Sequence, residues 1–374
     1  MKKNQLVTLG KHIDILSGCA FPSSGFNRNN GVPLIRIRDI LSGKTETYYE
    51  GSYDLKYLIK KGDLLVGMDG DFNREYWKGT DALLNQRVCK ITPNPETLDK
   101  NFLYHFLQKE LDKIHATTDV VTVKHLSVKK IQDIKIRLPS LKEQKRIAAI
   151  LDKADAIRQK REQAIKLADD FLRAKFLEMF GTPANNIHRF PKGTIRDLVD
   201  SVNYGTSAKA SIDSGEYPIL RMGNITYQGR WDFTDLKYLD LSVKEKDKYL
   251  VKEGDLLFNR TNSKELVGKT AVYEEDRPMA FAGYLIRVRP NSIGNNYYIS
   301  GYLNSIHGKI TLMNMCKSIV GMANINAQEL QNIEILIPPK HLQDEYEIIY
   351  KKIKKGLSIY DKSAMQLQLL ASNL

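Results

Sequence analysis

The chain has 374 residues, room for two modest cores, and its 57 Lys and Arg against 44 Asp and Glu give a formal charge of +13. That balance favours a polyanionic partner through counterion release and steering, although charge alone does not establish one. Cys19, Cys89 and Cys316 stand apart with no C-x-x-C pair, so neither a disulfide framework nor a cysteine zinc site is indicated. No apolar run approaches the roughly 18 residues of a membrane span, and no signal-peptide core follows the first residues; the expectation is a soluble, cytoplasmic protein without a membrane partner.

Residues 5–138 read mainly as strands and turns. Residues 34–40 alternate, which puts Arg36 and Arg38 on one face, either as a solvated sheet face or as phosphate contacts. Gly62-Asp63 turns into a strand at 64–66. The following stretch, 69–78, combines Asn73, Arg74 and Lys78 with Tyr76 and Trp77: donors and flat rings of the kind that read base edges, or else a loop anchored by its aromatics packing inward. Gln86 and Arg87, and farther on Lys124, are further candidates for DNA contact. Residues 101–115 have helical spacing through Phe102, Leu103, Phe106, Leu107 and Leu111, and 119–123 is β-prone. His105, His115 and His125 have no metal-ligand spacing and are taken as incidental.

Residues 140–181 form the element around which the chain is arranged. Apolar or small residues at Ile147, Ile150, Ala154, Ile157, Ala164, Ala168 and Phe171 recur in steps of three and four, interrupted at Arg161, which predicts a coiled-coil helix. Ser140 with Glu143 marks its start, and Gly181 with Pro183 its end. Residues 182–191 read as a linker, after which the pattern restarts.

The second half repeats the first. The run 33–40 matches 218–225, 61–65 matches 253–257, 91–94 matches 288–291, and 139–144 matches 338–343. The seam then falls on Tyr346, Ile349, Ile353, Gly356, Ser363, Leu367 and Leu370, and an antiparallel register with Ile147 beside Leu370 sets Arg161 opposite Gly356, where the missing side chain would leave room for the Arg stem. Arg221 takes the place of Arg36, and a donor-rich loop with Asn259, Arg260, Asn262 and Lys264 follows Gly254-Asp255; Lys269 lies just beyond it. Matched positions with unlike side chains, such as 85–87 against 282–284, point to one scaffold meeting two different ligands. The order is therefore globule (1–138), helix (139–181), globule (182–337), helix (338–374).

Motifs for catalysis are missing. Gly268-Lys269-Thr270 lacks the earlier glycine of a phosphate-binding loop, and there is no methyl-transfer tetrapeptide, nucleophile elbow or H-E-x-x-H pair. No catalytic residue, metal site or cofactor is expected.

This alternation, with the runs Leu138-Pro139-Ser140-Leu141-Lys142-Glu143-Gln144-Lys145-Arg146-Ile147-Ala148 and Phe258-Asn259-Arg260-Thr261-Asn262-Ser263, resembles the specificity subunit of Type I restriction–modification systems over essentially the whole chain. The resemblance implies an α+β protein with two tandem target recognition domains of mixed α/β structure. Two long helices would separate them, form an antiparallel coiled coil and give an internal pseudo-two-fold repeat. It also implies double-stranded DNA, two methylation subunits and, in the full complex, restriction/translocase subunits as partners, with S-adenosylmethionine and ATP belonging to those subunits. The alternative reading is a non-catalytic coiled-coil scaffold whose globules bind proteins or glycans.

Overall fold

The computed structural model describes residues 5–118, 124–319 and 322–372, apart from the side chains of 5, 317–319, 322 and 358–372. The β-prone stretch 119–123 and the pairing of Ile147 with Leu370 therefore lie outside the described residues. The chain divides into two compact units, Met1–Arg158 with Ala364–Leu374, and Gln159–Ser363.

Both units are built to one plan. In the first, a four-stranded antiparallel sheet runs Ile13–Ser17, Val88–Pro93, Leu64–Gly67, Arg74–Tyr76. In the second, the same order is Val199–Tyr204, Leu285–Pro290, Leu256–Asn259, Thr270–Val272. The strands Leu64–Gly67 and Leu256–Asn259 are buried on both faces, so their residues divide by the strand period of two. Leu64 and Val66 pack with Leu103, Leu107 and Leu111 of the helix Lys100–Ala116, whereas Leu65 packs with Ile35, Trp77 and Leu84 beneath a smaller sheet. Leu256 and Phe258 likewise face Tyr298 and Tyr302, while Leu257 faces Leu220 and Phe281. The smaller sheet also recurs: Leu34 and Ile35 pair in parallel with Leu83 and Leu84, as Ile219 and Leu220 do with Ala280 and Phe281.

The matched sequence blocks prove to be turn chemistry. Gly62 and Gly254 take φ of 91° and 87°, conformations that disfavour a side chain, and Asp63 and Asp255 accept from the backbone N–H of Lys60 and Lys252 at 2.8 and 2.9 Å. The strand expected over 34–40 stops at Ile35. Asp39 accepts the Arg36 N–H at 2.9 Å and turns the chain into a short 3-10 helix, and Asn224 does the same for Arg221 at 2.8 Å. Residues 126–138 contain a helix, Val128–Gln132, before the strand Lys135–Leu138.

The long helix spans Leu141–Phe180 and ends on Gly181, whose φ of 68° is the left-handed terminus expected of it. The C-terminal helix is Lys340–Ser372. Within the second unit, Phe176 and Phe180 meet the buried Tyr346 at ring separations of 5.3 and 5.9 Å, while Asp169 shares a cleft with Tyr350 and Ile353, so the two segments run in opposite chain directions. The expected seam needs two corrections here. Phe171 is 49% exposed, because 3.6 residues per turn carries the buried stripe on to Phe176 and Phe180. Gly356 is exposed too, and a Cβ there would meet nothing within 4 Å, so it is not the gap that receives the Arg161 stem. No helix among the described residues is long and apolar enough to cross a membrane.

Candidate nucleic-acid interface

At one end of the first four-stranded sheet, three chain segments are laced together by main-chain hydrogen bonds. Met68 N–H donates to Arg87 O at 2.8 Å, Leu126 N–H to Met68 O at 2.7 Å, and Gly70 N–H to Lys124 O at 3.1 Å. The second unit repeats the lacing: Arg260 N–H donates to Tyr284 O at 3.0 Å, Ile325 N–H to Arg260 O at 2.9 Å, and Thr261 pairs with Asn324. Met68 thus corresponds to Arg260, Arg87 to Tyr284, Asp69 to Thr261 and His125 to Asn324.

One backbone carries two chemistries. In the first unit, the Asp69 carboxylate accepts from His125 Nδ1 at 2.7 Å and lies 3.4 Å from Arg87 Nε; all of these side chains are at least partly exposed. Arg87 holds φ at 71°, a strained conformation for a residue with a side chain. In the second unit, Thr261 Oγ1 donates to Asn324 Oδ1 at 3.2 Å, Tyr284 is exposed, and the Arg260 guanidinium sits 5.0 Å from the Tyr204 ring centroid. Where the first unit has Asp69 and Arg87 the second has the uncharged Thr261 and Tyr284, and where the first has the uncharged Met68 the second has Arg260.

Several of the sequence candidates lie in these clusters: Gln86, Arg87 and Lys124 in the first, Arg260 and Asn262 in the second. Lys124 is partly committed, since its Nζ donates to His115 O at 2.6 Å. Arg36, Arg38, Lys78 and Lys264 are exposed elsewhere on their units, and Arg221 is held by Asp235 at 2.8 Å.

The stretch 69–78 is corrected. Phe72 and Trp77 are 0% and 2% exposed and belong to two different cores, because Arg74–Tyr76 is a strand of the sheet and not a projecting loop. Arg74 lies 3.5 Å from the Tyr104 ring centroid, Tyr76 stacks on Tyr104 and donates to Lys100 O, and half-buried Asn73 closes the turn by accepting Gly67 N–H. The Arg74 and Tyr76 side chains fasten the helix to the sheet, whereas Asn73 acts through its main-chain carbonyl. Asn259 and Lys269 are also withdrawn from the surface: Asn259 is fully buried and bonded across the neck of its loop, and Lys269 donates to Met222 O at 2.9 Å, with burial lowering its pKa.

Sequence reasoning passed over Asp69, Thr261, His125 and Asn324. His125 was judged by metal-ligand spacing, and its relation to Asn324 becomes visible only when the strand registers of the two units are aligned.

Matches to the Type I restriction modification DNA specificity domain cover residues 1–167 and 190–371. The chain belongs to this family. It is 31% identical over 374 residues to the Type I restriction enzyme EcoBI specificity subunit of Escherichia coli, covering 92% of this chain and 77% of that one. To the EcoKI specificity subunit of Escherichia coli strain K12 it is 24% identical over 350 residues, 86% and 75% of the two chains. The crystal structure of a Type I restriction–modification S subunit from M. genitalium shares the fold, with a TM-score of 0.64 at 14% identity over 100% of this chain and 95% of that one.

Proposed function

We propose that this chain is the non-catalytic, DNA-reading specificity subunit of a Type I restriction–modification complex, each unit reading one half of a bipartite, asymmetric duplex target. The observation that carries this reading is the three-segment lacing built twice with unlike side chains: a scaffold kept constant while the groups it presents change is what two different half-sites require. On this reading the two long helices form an antiparallel coiled coil, relate the units by a pseudo-two-fold axis, set the spacing and dock two methylation subunits, with restriction/translocase subunits joining the full complex in the cytoplasm. Arg36, Arg38, Lys78 and Lys264 then serve as phosphate contacts, and the lacing clusters as base readers. The protein and glycan scaffold alternative is not favoured by the family.

The test is a methylome. A host carrying the complex with Arg260 and Asn262 replaced should methylate sites altered in one half only, and replacing Gln86 and Arg87 should alter only the other. Changes in both halves from either replacement would overturn the modular reading.

A further inference from the structure

Asp69, Arg87 and His125 come from three separate segments, yet their side chains form one closed cluster. Arg87 Nη1 lies 3.4 Å from Asp69 Oδ1 and 3.3 Å from His125 Nδ1, and His125 Nδ1 is 2.7 Å from that same carboxylate oxygen. Arg87 and His125 are more than half exposed while Asp69 is 24% exposed, so the acceptor lies beneath and the nitrogen-bearing groups lie outside. A guanidinium has five N–H donors, and one carboxylate cannot occupy them all. The strained φ of 71° at Arg87 is maintained in a turn whose main chain is fixed on both sides, by Met68 N–H donating to Arg87 O and Val88 N–H to Asn85 O.

We propose that Arg87 is the donor fork that reads a single guanine in one half of the target, and that Asp69, braced by His125, is the positioning residue that aims it. The proposal rests on the DNA-reading function above. Guanine presents two acceptors, O6 and N7, on its major-groove edge, and a guanidinium held in one orientation offers them two parallel donors, where a freely moving arginine matches phosphate equally well. The Asp69 carboxylate supplies the fixing: it orients the arginine fork on one side and accepts the His125 Nδ1 proton on the other, so the imidazole braces the carboxylate. At the same place the second unit has Thr261 and Asn324 and no carboxylate. An amide there offers one donor and one acceptor, which suits adenine N7 and N6 and not guanine. The two units are thereby set to prefer different bases with the same backbone.

The experiment is selection of bound duplexes from a randomised pool by the purified complex of this chain with its methylation subunits. Wild type is compared with Arg87→Gly, His125→Ala and Asp69→Asn, each also followed by thermal melting. Arg87→Gly removes the side chain and relieves the left-handed strain, so loss of folding does not confound it. The expected result is that all three variants relax the same single G·C pair, in one half-site, by roughly 10- to 100-fold in discrimination, with every other position unchanged. Uniform weakening at all positions would mean phosphate contact and overturn the assignment. Unchanged selection by the variants would overturn it while leaving the DNA-reading function intact. No selection by wild type would overturn that function itself.

Discussion

Gln144 and Gln343 make the same buried contact in the two units. Both are 0% exposed, and each donates from Nε2 to the carbonyl of the proline five residues before it, Pro139 or Pro338, at 2.9 Å. Each also donates at 3.0 Å to a carbonyl in the turn before a neighbouring helix, Thr97 or Ile293. The repeated Pro and Gln of blocks 139–144 and 338–343 are therefore a clamp between the start of a long helix and the globule preceding it.

The clamps differ in one respect that stability can read. Gln144 Oε1 accepts the Asp99 N–H at 2.8 Å, whereas Gln343 Oε1 meets no donor among the described residues. Replacing Gln144 with Leu takes the partner from one part-buried N–H and two part-buried carbonyls, at up to about 1–3 kcal/mol for each group. Gln144→Leu is expected to destabilise by about 2–4 kcal/mol in urea titration and Gln343→Leu by less; equal losses would mean the Asp99 bond contributes nothing.

The duplication and the boundaries of the long helix were legible because glycine, proline and acidic turn residues act locally. Gly181, Gly62-Asp63 and Pro139 each fix a backbone conformation whatever surrounds them. The candidate interface was less legible. Donor-rich composition at 69–78 and 259–264 looked alike in sequence, yet Phe72, Trp77, Asn259 and Lys269 are buried while Asn262 and Lys264 remain at least partly exposed, and only tertiary pairing decides which. His125 and Asn324 required a register that no linear spacing encodes.

Gly356 is a case where the packing argument fails and propensity decides. With open space beyond its Cα, Gly356→Ala is expected to raise stability by up to about 1 kcal/mol, the ordinary advantage of Ala over Gly inside a helix. A fall in melting temperature would indicate that this position needs to remain bare.

Lys309 gives a pH dependence. Burial, with the Arg173 and Lys269 charges nearby, lowers its pKa from 10.5 to about 8 while Nζ donates to Tyr227 O at 3.1 Å. The unfolded chain then binds more protons than the folded one between about pH 8 and 10.5, so stability from this group rises with pH across that window. Its contribution is complete above 10.5 and lost as pH falls through about 8. Denaturation of wild type and Lys309→Met over this range should show the slope in wild type and its reduction in the variant. Nuclear magnetic resonance of isotopically dimethylated lysines should find two groups titrating near 8, Lys309 and Lys354, and Lys309→Met should remove one of them.

The last prediction concerns spacing. At about 1.5 Å per residue the helical stretch from Ile147 to Phe171 rises about 36 Å, close to the 34–36 Å that separates half-sites read from one face of a duplex. The continuous helix Leu141–Phe180 contains that whole stretch. If this helix and its partner act as the ruler, the two half-sites are centred about 10 bp apart with unread bases between them. Inserting four residues at matched positions in both helices adds about one turn, or roughly 6 Å. That extension should lengthen the unread spacer by one or two base pairs and leave both half-site sequences as they were, because the lacing clusters are untouched. Methylation mapping in a host carrying the variant complex is the check: an unchanged spacer in an active complex would assign the distance to something other than the helices.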